Sequence, residues 1–265
     1  CKQNFSSYDY KLNKAGEDSK YYRTLFFPYG TYLITSNVIP LPYGTYLKGE
    51  GIGRTIIKSK DYLDAIMVTM DSNMNMGTAT EYGLNAKLPE YITVEDLTID
   101  VSDSITSSLL LLATCHNVLF KNVEFVGTNI TNLVKLADNS HSSKSSHIVF
   151  DGCIFNTGET AINSIHSVEH LVVKNCLFRN IKNESIVLNP NDNFEIINTI
   201  IDGNMFIDCS TMVESVIKLG KNTQYVSVIN NKFNKEVTNG VSELKPYISE
   251  SELNYTDILD AETNN

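Results

Sequence analysis

A recurring segment constrains this chain more than any other feature. A β-rich run, a two-residue break containing Asn, Gly or Asp, and a short run ending in Phe or Ile occur six times. The copies are Ile92–Ile99, Val118–Phe125, Ile148–Phe155, Leu171–Phe178, Thr199–Phe206 and Val226–Phe233. Their closing residues lie 26, 30, 23, 28 and 27 positions apart. Repeats of this length signal a solenoid. The length alone suits helical repeats too, so the local pattern decides. Apolar residues alternate with polar ones or run short, Val, Ile and Phe dominate, and no helical i, i+3, i+4 stripe appears. The spacing therefore predicts an all-β fold, a right-handed parallel β-helix.

Each break holds one residue suited to left-handed backbone: Asp96, Asn122, Gly152, Asn175, Gly203 and Asn230. Glycine reaches positive φ freely, and Asn and Asp tolerate it. A bend there turns one strand into the next, and stacked coils let the Asn side chains hydrogen-bond along the axis. The closing position becomes a phenylalanine ladder. Two positions earlier stand Leu97, Val123, Cys153, Cys176, Asn204 and Asn231. Side chains at equivalent positions of a parallel ladder point the same way, which suits stacked, reduced thiols at Cys153 and Cys176 better than a disulfide. A third strand follows each closing residue, at 109–112, 133–136, 161–164, 185–188 and 216–219. Three short strands per coil and variable loops account for the uneven spacing.

The charge balance narrows the partners. The net charge is −10, and the arginines are Arg23, Arg54 and Arg179. No basic stripe exists for a phosphate backbone, so no nucleic-acid partner is expected. The apolar run Leu109–Ala113 is too short to span a bilayer, so no transmembrane segment is expected. The chain starts at Cys1, read either as a lipidation site or as a truncation point.

The N-terminal part carries another signature. The hexapeptide PYGTYL occurs at Pro28–Leu33 and again at Pro42–Leu47, followed by KGEGIGRTII from Lys48 to Ile57. These segments resemble the opening coils of the pectin-lyase-like right-handed β-helix superfamily. That superfamily includes pectate lyases, polygalacturonases, and phage tailspikes and appendages. The resemblance covers Leu25 to Phe233. It implies a capping helix, which residues 1–24 do not spell out, so that segment is read as the remnant of a cap or linker. Residues 25–240 are assigned to the solenoid and 241–265 to a tail or a linker to a further domain.

The resemblance also implies chemistry on acidic or surface polysaccharides. The polygalacturonase-type set of Asn-x-Asp, Asp-Asp, Gly-His-Gly and Arg-x-Lys is absent. The outward positions of the third strand are expected at Leu111, Lys135, Asn163, Val187 and Lys218, a stripe without arginine or an Asp cluster. Lys135, Asn163 and Lys218 are its candidate substrate-binding residues. Glu159, Glu184 and Glu214 each precede a third strand and are the candidate catalytic carboxylates. Glycoside hydrolysis needs two carboxyl groups about 5–9.5 Å apart, which neighbours in a stacked row satisfy. The competing reading is solvated turn glutamates in an acidic protein. His116, His141, His147, His166 and His170 crowd one edge, but no Cys or carboxylate joins them at ligand spacing, so no metal site is assigned. No cofactor is expected. Tyr29, Tyr32, Tyr43 and Tyr46 are read as packing for the first coils or as sugar platforms.

The expected function is a carbohydrate-facing β-helix of phage tailspike or appendage type. It would recognise a host-surface polysaccharide, with cleavage of it left open, act as a homotrimer, and stand on a virion surface or be secreted. A secreted or lipid-anchored bacterial polysaccharide lyase or glycoside hydrolase is the alternative, and a purely structural spacer is a third reading.

Overall fold

A computed structural model of the chain describes residues 23–34, 39–41, 44–59, 66–69, 89–102, 108–112, 114–128, 130–136, 144–210, 215–234 and 248–250. These residues form a right-handed parallel β-helix, and every strand pair among them is parallel. Each coil contributes to three faces. The first face stacks Arg23–Phe26, Thr45–Lys48, the N-terminal half of Glu90–Asp100 and of His116–Val126, then Ser145–Asp151, Val168–Lys174, Ile196–Asp202 and Thr223–Ile229. The second face continues each coil past the bend, for example at Ile154–Gly158, Leu177–Ile181 and Met205–Ile207. The third face runs Ile39–Leu41, Met67–Thr69, Ser108–Leu112, Asn132–Leu136, Thr160–Ser164, Ile186–Leu188, Ile217–Leu219 and Ile248–Glu250. The last of these adds a strand within the stretch read from sequence as a tail.

The six expected bends all have left-handed backbone, with φ between 50° and 64°. Asn122 Nδ2 donates to Asp96 Oδ1 of the preceding coil at 3.2 Å. Where the coil below has glycine at the bend, the asparagine reaches the aspartate just before it. Asn175 bonds Asp151 and Asn230 bonds Asp202, at 3.4 and 3.0 Å. Gly152 has a second reason to be glycine, because a Cβ there would lie 2.8 Å from Asn122 Oδ1.

A second column of left-handed residues repeats five positions earlier. Tyr91, Asn117, His147, His170, Asn198 and Tyr225 have φ between 53° and 58°. Thr157, Asn180 and Asp208 form a third, five positions after the first, so several coils bend at a fixed five-residue interval. For a residue with a Cβ this conformation costs about 1–2 kcal/mol, and Tyr lacks the tolerance for it that Asn, Asp and His have.

The core follows from alternation between the bends. Phe125, Phe155, Phe178, Phe206 and Phe233 stack ring on ring, with centroids 5.1, 4.6, 4.7 and 4.9 Å apart. Ile99 pairs with Phe125, and Ile57 with Ile99, so the column continues below the rings as isoleucine. A second stack, Phe120 on Phe150 at 5.2 Å, comes from the first face. The two copies of PYGTYL do not occupy equivalent places. The first enters Gly30–Ile34 on the second face, and the second enters Thr45–Lys48 on the first. Their inside-outside pattern is inverted, so Leu33 is exposed while Leu47 is fully buried.

Cys115, Cys153 and Cys176 are free and buried, as expected for stacked thiols, while Cys209 is half-buried. Burial pushes the Cys115 thiol up to about 12 and also raises Cys176 and Cys209. A raised thiol value is a stabilising term present below the ordinary thiol range, and it fades as pH climbs through the folded value. The urea midpoint is therefore expected to fall between pH 9 and 12. At pH 8 a thiol reagent should label the buried cysteines only on unfolding. Rapid stoichiometric labelling of the native chain at that pH would contradict this assignment.

Candidate functional site

The third face presents the expected outward column. Leu111 pairs with Lys135, Lys135 with Asn163, Asn163 with Val187, and Val187 with Lys218. All five are partly exposed, whereas their strand neighbours Leu110, Leu112, Val134, Leu136, Ile162 and Ser164 are buried. Three coil steps separate Lys135 from Lys218, about 14 Å along the axis. Asn163 Nδ2 donates to Asn132 Oδ1 at 2.9 Å, and its Oδ1 is buried without a hydrogen-bond donor. The Lys218 ammonium stands 3.9 Å from a Glu184 carboxylate oxygen.

Glu159 and Glu184 do not fall at one register position. Glu159 is exposed and its carbonyl accepts from Asn183 N at 2.8 Å, so Asn183 rather than Glu184 continues its position. Ile162 pairs with Ile186, yet Ile162 lies seven positions after Phe155 and Ile186 eight after Phe178. That one extra residue shifts Glu184 beside Thr160. Glu214 lies outside the described residues. Lys135, Asn163 and Lys218 thus share one column, with Glu184 beside its C-terminal end and Glu159 one register position away.

Two surface arrays escaped the sequence reading. On the first face Lys48, Glu95, Lys121, Asp151, Lys174 and Asp202 occupy one column with alternating charge. Lys48 bonds Glu95 at 2.6 Å and Lys174 bonds Asp151 at 3.2 Å. Partial burial pushes the Glu95 carboxyl up, but hydrogen bonds from Lys48 and Tyr46 outweigh it and hold it below its ordinary value. On the second face the half-buried Glu124 gathers three donors. Oε1 accepts from Arg179 Nη2 at 3.0 Å and Asn156 Nδ2 at 3.4 Å, and Oε2 from Thr98 Oγ1 at 3.2 Å. Glu124 precedes a closing phenylalanine, while Asn156 and Arg179 follow one, so these outward positions were readable once the second strand was given the same alternation as the third.

Among the described residues no three His, Cys, Asp or Glu side chains converge as a metal site. His147 and His170 stand in adjacent coils with ring centroids 4.6 Å apart, and His116 Nδ1 lies 2.7 Å from Ser146 Oγ. His166 is buried against Phe194, and His141 lies outside the described residues. Tyr32 packs edge-on against Phe27, Tyr46 OH donates to Glu95, Tyr29 is exposed, and Tyr43 lies outside the described residues.

No curated protein matches the chain in sequence. Solved structures resemble the chain to different degrees. A PL6-family alginate lyase, AlyGC, superposes with a TM-score of 0.56 at 12% identity over 93% of this chain and 37% of that one. ORF18 of Geobacillus virus E2 gives 0.48 at 15% identity over 90% and 56%. Tailspike protein 3 of bacteriophage CBA120 gives 0.39 at 13% over 84% and 41%. The chain thus spans little more than half the length of one of these proteins and less of the other two. A family model, described as rhamnogalacturonase A/epimerase, pectate lyase-like, matches residues 8–211, well over half of the sequence. With the parallel coils, the stacked phenylalanines and the bends in register, that match identifies the chain as a member of the rhamnogalacturonase A/epimerase, pectate lyase-like family of β-helices.

Proposed function

We propose that the chain is a carbohydrate-facing β-helix of phage tailspike or appendage type, which engages polysaccharide along its outer surface. The observation that carries this reading is the third-face column. Lys135, Asn163 and Lys218 offer hydrogen-bond donors one and then two coil steps apart along a rigid axis, and the five residues of the column hold no convergent acid–base set. Such a surface suits recognition of a long polymer better than proton transfer at one point. Outward apolar residues on the first face, Leu119, Val149, Val172 and Ile200, form a further column that a homotrimer would cover by symmetry. Such a protein stands on a virion surface or outside the cell.

The test is binding to alginate, polygalacturonate, rhamnogalacturonan and dextran by calorimetry, with sedimentation run alongside. The double variant Lys135→Ala/Lys218→Ala is expected to weaken binding of the preferred polymer at least tenfold. Unchanged affinity removes the third face from the reading, and a stable monomer removes the appendage assembly. A second reading, a polysaccharide lyase or glycoside hydrolase, is favoured by Glu184 standing beside Lys218 and by the family membership. It predicts release of reducing or unsaturated ends by the native chain, lost in Glu184→Gln. Product release unaffected by that substitution overturns a catalytic role for Glu184.

A further inference from the structure

The second left-handed column contains an imbalance that packing does not explain. At the bend between first and second faces, the positive-φ positions hold Asp96, Asn122, Gly152, Asn175, Gly203 and Asn230, all types suited to that backbone. Five positions earlier the same conformation holds Tyr91, Asn117, His147, His170, Asn198 and Tyr225. Asn is accommodated there twice, so the column does not demand rings for steric reasons. Nor does burial explain them, because Tyr91 and Tyr225 are 46% and 55% exposed. Left-handed backbone at two exposed tyrosines, Tyr91 and Tyr225, points to a role outside the core.

The column is continuous. Register pairs place its members in successive coils, from Tyr91 through Asn117, His147, His170 and Asn198 to Tyr225. Five steps of about 4.8 Å make a strip about 24 Å long. One step is comparable with the length of a pyranose unit. Aromatic faces at both ends offer stacking surfaces to the apolar faces of sugar rings. Between them, paired imidazoles 4.6 Å apart and two asparagine amides offer donors and acceptors to hydroxyls. The strip lies at the start of the first-face strands, which follow the third-face strands carrying Lys135, Asn163 and Lys218.

We infer that the strip from Tyr91 to Tyr225 is a binding track for a linear polysaccharide lying parallel to the solenoid axis, its rings stacked on the tyrosines and its hydroxyls held by His147, His170 and the asparagines. This rests on the carbohydrate reading above and specifies where the polymer lies and how.

The test uses the full chain and the same four polymers. Tyr91→Asn/Tyr225→Asn places in the column a residue it already carries, so the fold is kept and the thermal midpoint is unchanged or higher. Affinity for the preferred polymer is expected to fall at least tenfold. His147→Asn/His170→Asn should weaken it by a similar factor. Wild-type binding with both variants unaffected overturns the track and leaves the carbohydrate reading standing. No binding of any polymer by the wild type overturns both. A change in sedimentation on Tyr91→Asn/Tyr225→Asn, with polymer affinity retained, assigns the strip to protein contact and overturns the track.

Discussion

Phe155→Ala is expected to lower the unfolding free energy by about 3–5 kcal/mol, the range for a large aromatic removed from a packed core. Phe155 is fully buried, stacked on Phe125 at 5.1 Å and on Phe178 at 4.6 Å, with Phe150 edge-on at 5.8 Å. Truncation leaves a void with stacked rings above and below it. Neither neighbour can collapse into that space, because its backbone is tied into the ladder at the coil spacing. Phe155→Leu fills most of the volume without the ring contacts and should cost about 1–2 kcal/mol. Phe233→Ala should cost less than Phe155→Ala, because Phe233 is only partly buried. Solenoid stability is a sum of coil and interface terms, so the central variant breaks two ring interfaces. Urea unfolding checks all three. A loss below about 1 kcal/mol for Phe155→Ala would show that the stack is not a principal source of stability.

The ladder, the bends and the third strands were legible in sequence because each is fixed by a short local pattern. The closing residues Ile99, Phe125, Phe155, Phe178, Phe206 and Phe233 fall in one column as expected. So do Leu111, Lys135, Asn163, Val187 and Lys218, because alternation within a strand fixes which side chains point outward. The row of Glu159, Glu184 and Glu214 was less tractable. Glu159 and Glu184 sit in the connection between second and third strands, whose length changes from coil to coil. One residue more between Phe178 and Ile186 than between Phe155 and Ile162 is enough to move a side chain to a different position. The left-handed Tyr–His column was hidden for another reason. A bend marked by Gly or Asn is visible in a sequence, but the same bend occupied by Tyr91, His147, His170 and Tyr225 is not. The five-residue interval from Asp96, Asn122, Gly152, Asn175, Gly203 and Asn230 was the available signal.

The interior column two positions before the phenylalanines changes chemistry along the axis. It runs Leu97, Val123, Cys153, Cys176, Asn204 and Asn231, and the members in both halves are buried. The thiols donate to carbonyls of the preceding coil, Cys153 to Phe120 O at 3.4 Å and Cys176 to Phe150 O at 3.6 Å. The asparagines do more. Asn204 Nδ2 donates to Val173 O and to Asn231 Oδ1, both at 2.9 Å, while Asn204 Oδ1 accepts from Cys176 N at 2.9 Å. Asn231 Oδ1 accepts from Asn204 N at 3.0 Å, and its Nδ2 donates to Ile201 O at 2.8 Å. The side-chain amides thus bond main-chain groups of adjacent coils and fix their register.

Removing such a link leaves buried groups unpaired, at about 1–3 kcal/mol each. Asn204→Ala strands the Cys176 N–H and adds a void, so a loss of about 2–4 kcal/mol is expected. Asn204→Leu restores volume but no polar partner. It should remain at least about 1.5 kcal/mol below the native chain. Asn204→Cys places in the column the residue found one coil earlier. Its thiol can donate toward Val173 O as Cys176 does toward Phe150 O, but it is a poor acceptor for the Cys176 N–H. It should therefore fall between the native chain and Asn204→Ala. The order of the three in urea unfolding separates lost volume from lost hydrogen bonds. If Asn204→Leu matches the native chain, the buried amide column contributes packing alone, and the register of these coils rests on the bends and the phenylalanine stack instead.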